Sequence, residues 1–193
     1  MNSEPLSKAD RDCLLQLARQ VIEQRAAGKK FPRLNPQDFS PRLREQGAVF
    51  VTITKNGELR GCVGALEAYQ PLYEDVCEHA EAAAFHDFRF PALREHELPA
   101  IQIEISYLTP PKPLDYTDAE DLRSRLRPGI DGVLIRDSYR RATFLPQVWE
   151  KLPDPEEFLD HLCLKMGATE NTWRRKHLEV FTYQVESFEE EKL

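Results

Sequence analysis

Two β-prone runs, VFVTITK and ELRGCVGAL, meet at Asn56-Gly57. Both turn residues tolerate positive φ, so the dipeptide predicts a two-residue hairpin and commits this part of the chain to an antiparallel pair. A two-residue turn also sets the register: Lys55 opposite Glu58, Ile53 opposite Arg60 and Val51 opposite Cys62. In that register Arg60, Cys62 and Gly64 share one face with Val49, Val51 and Ile53, while Leu59, Gly61 and Val63 take the other.

The remaining elements follow from periodicity and punctuation. Ser7 caps a helix to about Ala27, carrying Leu14, Leu17, Ala18, Val21 and Ile22 on one stripe and stopped by Gly28. Prolines at 32, 36 and 41 make the next segment an extended loop. Pro71 opens a helix through about Ala84, HDFRFPAL is a loop, and IQIEISYLT alternates Ile101, Ile103, Ile105 and Tyr107 against Gln102, Glu104 and Ser106 as a half-buried strand. Thr117 to Glu120 reads as a capping box for a short helix ending near Pro128-Gly129. GVLIRDSYRRATFLP predicts a second hairpin turning at Asp137 and Ser138, and Asp154-Pro155 starts a helix closed by Gly167. LEVFTYQVESFEE reads as one last strand before a charged tail at 189–193. Hairpins mixed with helices, without βαβ alternation, predict an α+β fold: a mixed or antiparallel sheet with flanking helices, residues 1–193 forming one domain.

Composition removes several classes of function. A formal charge of -7 works against general attraction to nucleic acid or an anionic membrane. Arg123, Arg125 and Arg127, and Arg174, Arg175 and Lys176, are then solvated faces rather than binding sites. MNSEPLSKAD lacks the basic start and apolar run of a secretory signal, and no segment approaches the ~20 apolar residues of a membrane span, so the expected compartment is the cytoplasm. Cys13, Cys62, Cys77 and Cys163 are scattered without a CxxC pair, which predicts reduced thiols, no disulfide framework and no metal site. Cys77 and His79 sit two apart in a helix and point in different directions. No Gly-rich phosphate loop is present, and no cofactor is expected.

Two segments carry candidate chemistry. A cation beside Cys62 favours its thiolate, Arg60 can reach the sulfur from two residues away, and Gly61 and Gly64 leave room for a substrate or partner backbone. The same register surrounds the sulfur with valine and isoleucine, which makes Cys62 a packed, inert thiol instead. In HDFRFPAL, Asp87 and Arg89 either staple the loop to each other or leave Arg89 to bind a carboxylate or phosphate in two-pronged fashion. His86 is positioned in sequence to act as a base for Cys62, giving a Cys-His-Asp arrangement.

LRGCVG at 59–64, AFHDFRFPAL at 84–93, ELPAIQIEISYLT, GIDGVLI and ATFLPQVWE, in this order over about residues 8–188, resemble the AMMECR-type domain family, also called AmmeMemoRadiSam system protein A. Val63 fills the aliphatic slot of the cysteine motif, and Asp87, Arg89, Phe90 and Pro91 meet the D-x-R-F-P core. The resemblance implies two unequal lobes with the cysteine motif near a cleft between them, and association with a radical-SAM enzyme and a Memo-like protein. It raises Cys62 as a reactive centre tuned by Arg60, with Gly61 and Gly64 giving access. Asp87 and Arg89 then position an anionic group or hold the cleft shut, and Phe90 and His86 join the binding surface. A non-catalytic adaptor that recognises a protein through the LRGCVG surface is the alternative.

Overall fold

The computed structural model describes residues 5–191; the first four residues of the N-terminal reading and the last two of the charged tail lie outside them. The fold is α+β, with two antiparallel sheets in two compact units, one comprising the chain up to Leu108 together with Glu186 onward, the other Thr109–Val185.

The first unit opens with α1 (Lys8–Ala26), β1 (Gln46–Lys55), β2 (Glu58–Gly64), β3 (Gln70–Pro71), α2 (Leu72–Phe85) and β4 (Ile101–Leu108). Ser7 caps α1 as the sequence predicts, accepting from the Asp10 N–H at 3.1 Å, and Gly28 leaves the helix at φ 72°. The sheet runs β2-β1-β4 and is completed by β9 (Val185–Glu189), with β3 beside the start of β1. Val49, Val51 and Ile53 of β1 and Ile103 and Ile105 of β4 are fully buried, in one cluster with Leu14, Ala18 and Ile22 of α1 and Val76, Ala80 and Ala83 of α2. Strand alternation therefore gives this sheet one apolar face, covered by helices, and one polar face. A buried Asp75 on α2 ties the layers together by accepting the Val49 N–H at 2.9 Å, and its own i+4 neighbour His79 closes on it at 3.2 Å.

The second unit holds β5 (Lys112–Pro113), α3 (Ala119–Arg125), β6 (Gly132–Asp137), β7 (Arg140–Phe144), α4 (Pro155–Lys165), α5 (Thr172–Arg175) and β8 (Glu179–Tyr183), with strands in the order β5-β8-β6-β7. Trp149 stacks on Phe158 at 3.7 Å between ring centroids, and Leu122, Val133, Ile135, Leu162 and Val180 complete the core. The candidate basic clusters form ion pairs: Arg123 with Glu120 and Glu156, Arg125 with Asp121, Arg127 with Asp131, and Arg174 with Glu156 and Asp160.

Local readings shift at three places. The cap of α3 is Asp118 rather than Thr117, because Asp121 reaches back to the Thr117 N–H while Asp118 accepts from Asp121, and the helix ends at Arg125, short of Pro128. The β6–β7 turn is Ser138-Tyr139, with Asp137 still in the ladder opposite Arg140. The single C-terminal strand is two strands, broken at Gln184, and β8 and β9 belong to different sheets.

Candidate functional site

The hairpin turn forms as the sequence dictates, with Asn56 at φ 53°, Gly57 at φ 84° and Lys55 opposite Glu58. Two residues later the register slips. Leu59 still faces Thr54, but Ile53 faces Gly61 and Thr52 faces Cys62, so Arg60 is the extra residue of a β-bulge. A one-residue slip moves every later side chain to the other face. Cys62 is thereby placed opposite Thr52 instead of Val51, on the polar face and away from the buried valines, where it is half-buried. The expectation of an aliphatic surrounding for the sulfur is corrected by this single inserted residue.

The same bulge separates Arg60 from the sulfur. Its guanidinium forks onto Glu97, with Nε and Nη2 each 3.1 Å from a carboxylate oxygen, and Lys55 adds a third contact at 2.9 Å. The Arg60 hydrogen bonds outweigh burial, and with Lys55 and the Arg94 N–H they hold the Glu97 carboxyl down at about 2. Arg60 thus anchors the strand to the segment after α2, its guanidinium engaged by Glu97.

Cys62 is instead framed by the loop that follows α2. The strand β2 lies at the edge of its sheet, and the outward N–H of Cys62 donates to Asp87 Oδ2 at 2.9 Å while its carbonyl accepts from Arg89 Nη2 at 3.1 Å. Asp87 and Arg89 are joined at 2.9 Å and 2.7 Å, so one closed carboxylate–guanidinium pair satisfies both backbone groups that a neighbouring strand would take. The Arg89 hydrogen bonds, against burial and with help from the Cys62 N–H, keep the Asp87 carboxyl well below the usual carboxylate range. With its backbone groups turned outward, Cys62 forms a non-hydrogen-bonded pair with Thr52, the arrangement in which side chains approach most closely. The Thr52 hydroxyl donates to Sγ at 3.3 Å.

The other candidate residues take varied places. Gly61 lies under α2, where an added Cβ would sit 2.1 Å from the Ala83 carbonyl oxygen, and one at Gly64 would sit 2.4 Å from both the Val49 carbonyl oxygen and the Phe50 ring. The space assigned to access is filled by the protein's own chain. The Phe90 ring packs under the Arg89 guanidinium at 5.4 Å. His86 is 65% exposed and its Nε2 stands 3.8 Å from Glu81, while both Asp87 oxygens are engaged by Cys62 and Arg89, so the Cys-His-Asp arrangement is not assembled. Among the described residues no group of three or more His, Cys, Asp or Glu could hold a metal ion, and no helix is long and apolar enough to cross a membrane.

Sequence reading missed three participants. Thr52 and Glu104 enter through register: Cys62 pairs with Thr52 and Thr52 with Glu104, so the three form one row across β2, β1 and β4 on the polar face. The alternation of IQIEISYLT already puts Glu104 on the polar side, but nothing local aligns it with Cys62. Phe88, between the two clamp residues, is 96% exposed.

A family model described as AMMECR1 matches residues 15–188. A protein of Methanothermobacter thermautotrophicus is 38% identical over 192 residues, covering 99% of this chain and 100% of its own. A protein of Methanocaldococcus jannaschii is 34% identical over 183 residues, covering 91% and 88%. The crystal structure of the uncharacterised protein PH0010 from Pyrococcus horikoshii superposes with a TM-score of 0.79 at 32% identity, covering 96% of this chain and 94% of that one.

Proposed function

The chain belongs to the AMMECR1 family, and from that premise we propose that it presents Cys62 as a reactive thiol, acting with a radical-SAM enzyme and a Memo-like protein in the cytoplasm. The observation that carries this is the bulge at Arg60. By turning Cys62 out of the core onto a polar face it gives the sulfur a hydroxyl donor, and the Asp87–Arg89 clamp fixes its backbone from the other side. A pinned backbone and a donor aimed at the sulfur hold a nucleophile in one orientation and support charge on it during attack. The electrophile comes from a substrate or from a partner enzyme.

The three other thiols supply an internal control. Burial pushes Cys77 up to about 12, with Glu74 and Cys13 adding to it, and burial also raises Cys13 and Cys163. Iodoacetamide at neutral pH, read residue by residue by mass spectrometry, is expected to modify Cys62 at least about tenfold faster than Cys13, Cys77 or Cys163. Equal or slower modification of Cys62 in the folded protein rejects the proposal.

The adaptor reading has its own supporting observation in Phe88. An exposed aromatic between two clamped residues is preorganised as an anchor for a partner's pocket. Under that reading Phe88→Ala weakens binding of the Memo-like protein or the radical-SAM enzyme about tenfold or more while Cys62→Ser leaves it intact. The thiol reading expects Cys62→Ser to abolish function with binding retained.

A further inference from the structure

The row Cys62–Thr52–Glu104 puts a carboxylate on the same face as the thiol, two strands away. At about 4.8 Å per strand spacing its Cα lies roughly 10 Å from that of Cys62. The charges nearest the sulfur in the fold are already matched: Arg89 closes on Asp87, and Arg60 and Lys55 close on Glu97. Glu104 differs, since the partner the structure gives it is neutral, the Ser106 hydroxyl at 3.3 Å, itself 3.0 Å from Ser187. The rest of the face is Thr54, Phe50, Gln102 and these hydroxyls, with a second carboxylate, Glu189 of β9, one strand farther from the sulfur and bound by the Gln102 amide at 3.1 Å. A floor with Glu104 in line with a nucleophile, Glu189 behind it and no cation among these residues favours a positive group bound beside the reacting atom. Glu104 is the nearer of the two carboxylates.

We infer that the Cys62 face takes cationic substrates, electrophiles bearing an ammonium or guanidinium group, and that Glu104 is the residue that selects them. The inference deepens the proposal above and rests on Cys62 being the reacting group. Glu104 acts on the substrate's charge and leaves the sulfur's own reactivity unchanged.

Three methanethiosulfonates test it: trimethylammonium-ethyl and sulfonatoethyl, opposite in charge and comparable in size, and the smaller neutral methyl reagent. In each, the Cys62 thiol gives its proton to buffer, its sulfur forms an S–S bond with the sulfenyl sulfur, and methanesulfinate leaves with the electron pair of the broken bond. One charge at this distance near a protein surface changes each charged reagent's rate by about threefold, in opposite directions, so the cation-to-anion ratio changes by about tenfold. Glu104→Gln is expected to lower that ratio at Cys62 by about tenfold while the neutral reagent reacts within about twofold of wild type. In the wild-type protein the ratio is expected to shrink as salt is raised from about 0.01 M to about 1 M, a measurement that stands if Glu104→Gln does not fold. An unchanged ratio in Glu104→Gln, or no salt dependence in wild type, overturns the inference while leaving Cys62 a reactive thiol. Failure of even the neutral reagent to modify Cys62 overturns both.

Discussion

Removing the Arg60 guanidinium leaves Glu97, 7% exposed, with Lys55 as its remaining ionic partner. Arg60→Ala is therefore expected to lower unfolding free energy by about 2 kcal/mol in urea titration. The iodoacetamide rate at Cys62 should stay within about twofold of wild type, because the contact runs to Glu97 and not to the sulfur. A large loss of Cys62 reactivity without loss of stability would restore Arg60 as the tuning group. At Asp87 the expectation is different. Its carboxyl is depressed in the folded chain, so the clamp's contribution is complete above the unfolded value near pH ~3.9 and is lost as pH falls through the acid range. Asp87→Asn should cost about 2–4 kcal/mol at pH 7 and flatten the acid limb of the stability–pH curve, measured by urea titration from about pH 7 to 2. Of these residues the sequence exposed the identities and some pairings. Asp87 with Arg89 was legible because the two are neighbours in the chain. Arg60 with Glu97 was not, since 37 positions separate them and no periodicity links them.

Among the elements, the hairpin turn was readable because Asn-Gly chemistry is local, and α1 because its cap, stripe and terminal glycine agree. The bulge that decides the fate of Cys62 was not, because its surroundings come from distant parts of the chain: the Ala83 carbonyl of α2 over Gly61, and Glu97 beyond it. Gly61→Ala tests this packing directly. Its Cβ would meet backbone, which cannot rotate away, so α2 must move off β2. The expected cost is about 2–3 kcal/mol in urea titration, and Gly57→Ala, which faces open space but keeps φ at 84°, is expected to cost about 1–2 kcal/mol. Equal, negligible costs would mean that α2 does not press on the strand. The split at Gln184 was hidden for a related reason: Tyr183 and Val185 both suit a strand, and only the pairing partners show that they serve different sheets.

At the scale of the molecule, each unit has its own core, and both tryptophans, Trp149 and Trp173, are buried in the second. Tryptophan emission therefore reports on residues 109–185, while thiol exposure at Cys13 and Cys77 reports on the helices of the first unit. Gly61→Ala is expected to lower the urea midpoint of Cys13 and Cys77 exposure and to shift the tryptophan transition less, giving two non-coincident curves. Coincident curves, shifted equally, would show one cooperative unit. The return of the chain to the first sheet at β9 also bears on synthesis. While a ribosome is still making residues 109–185, β4 lacks its outer neighbour and Arg19 of α1 waits for Glu190, 171 positions downstream. The inserted unit can close on the emerging chain before the one that precedes it, so the nascent cysteine-bearing sheet spends that interval with an open border for a chaperone to shield.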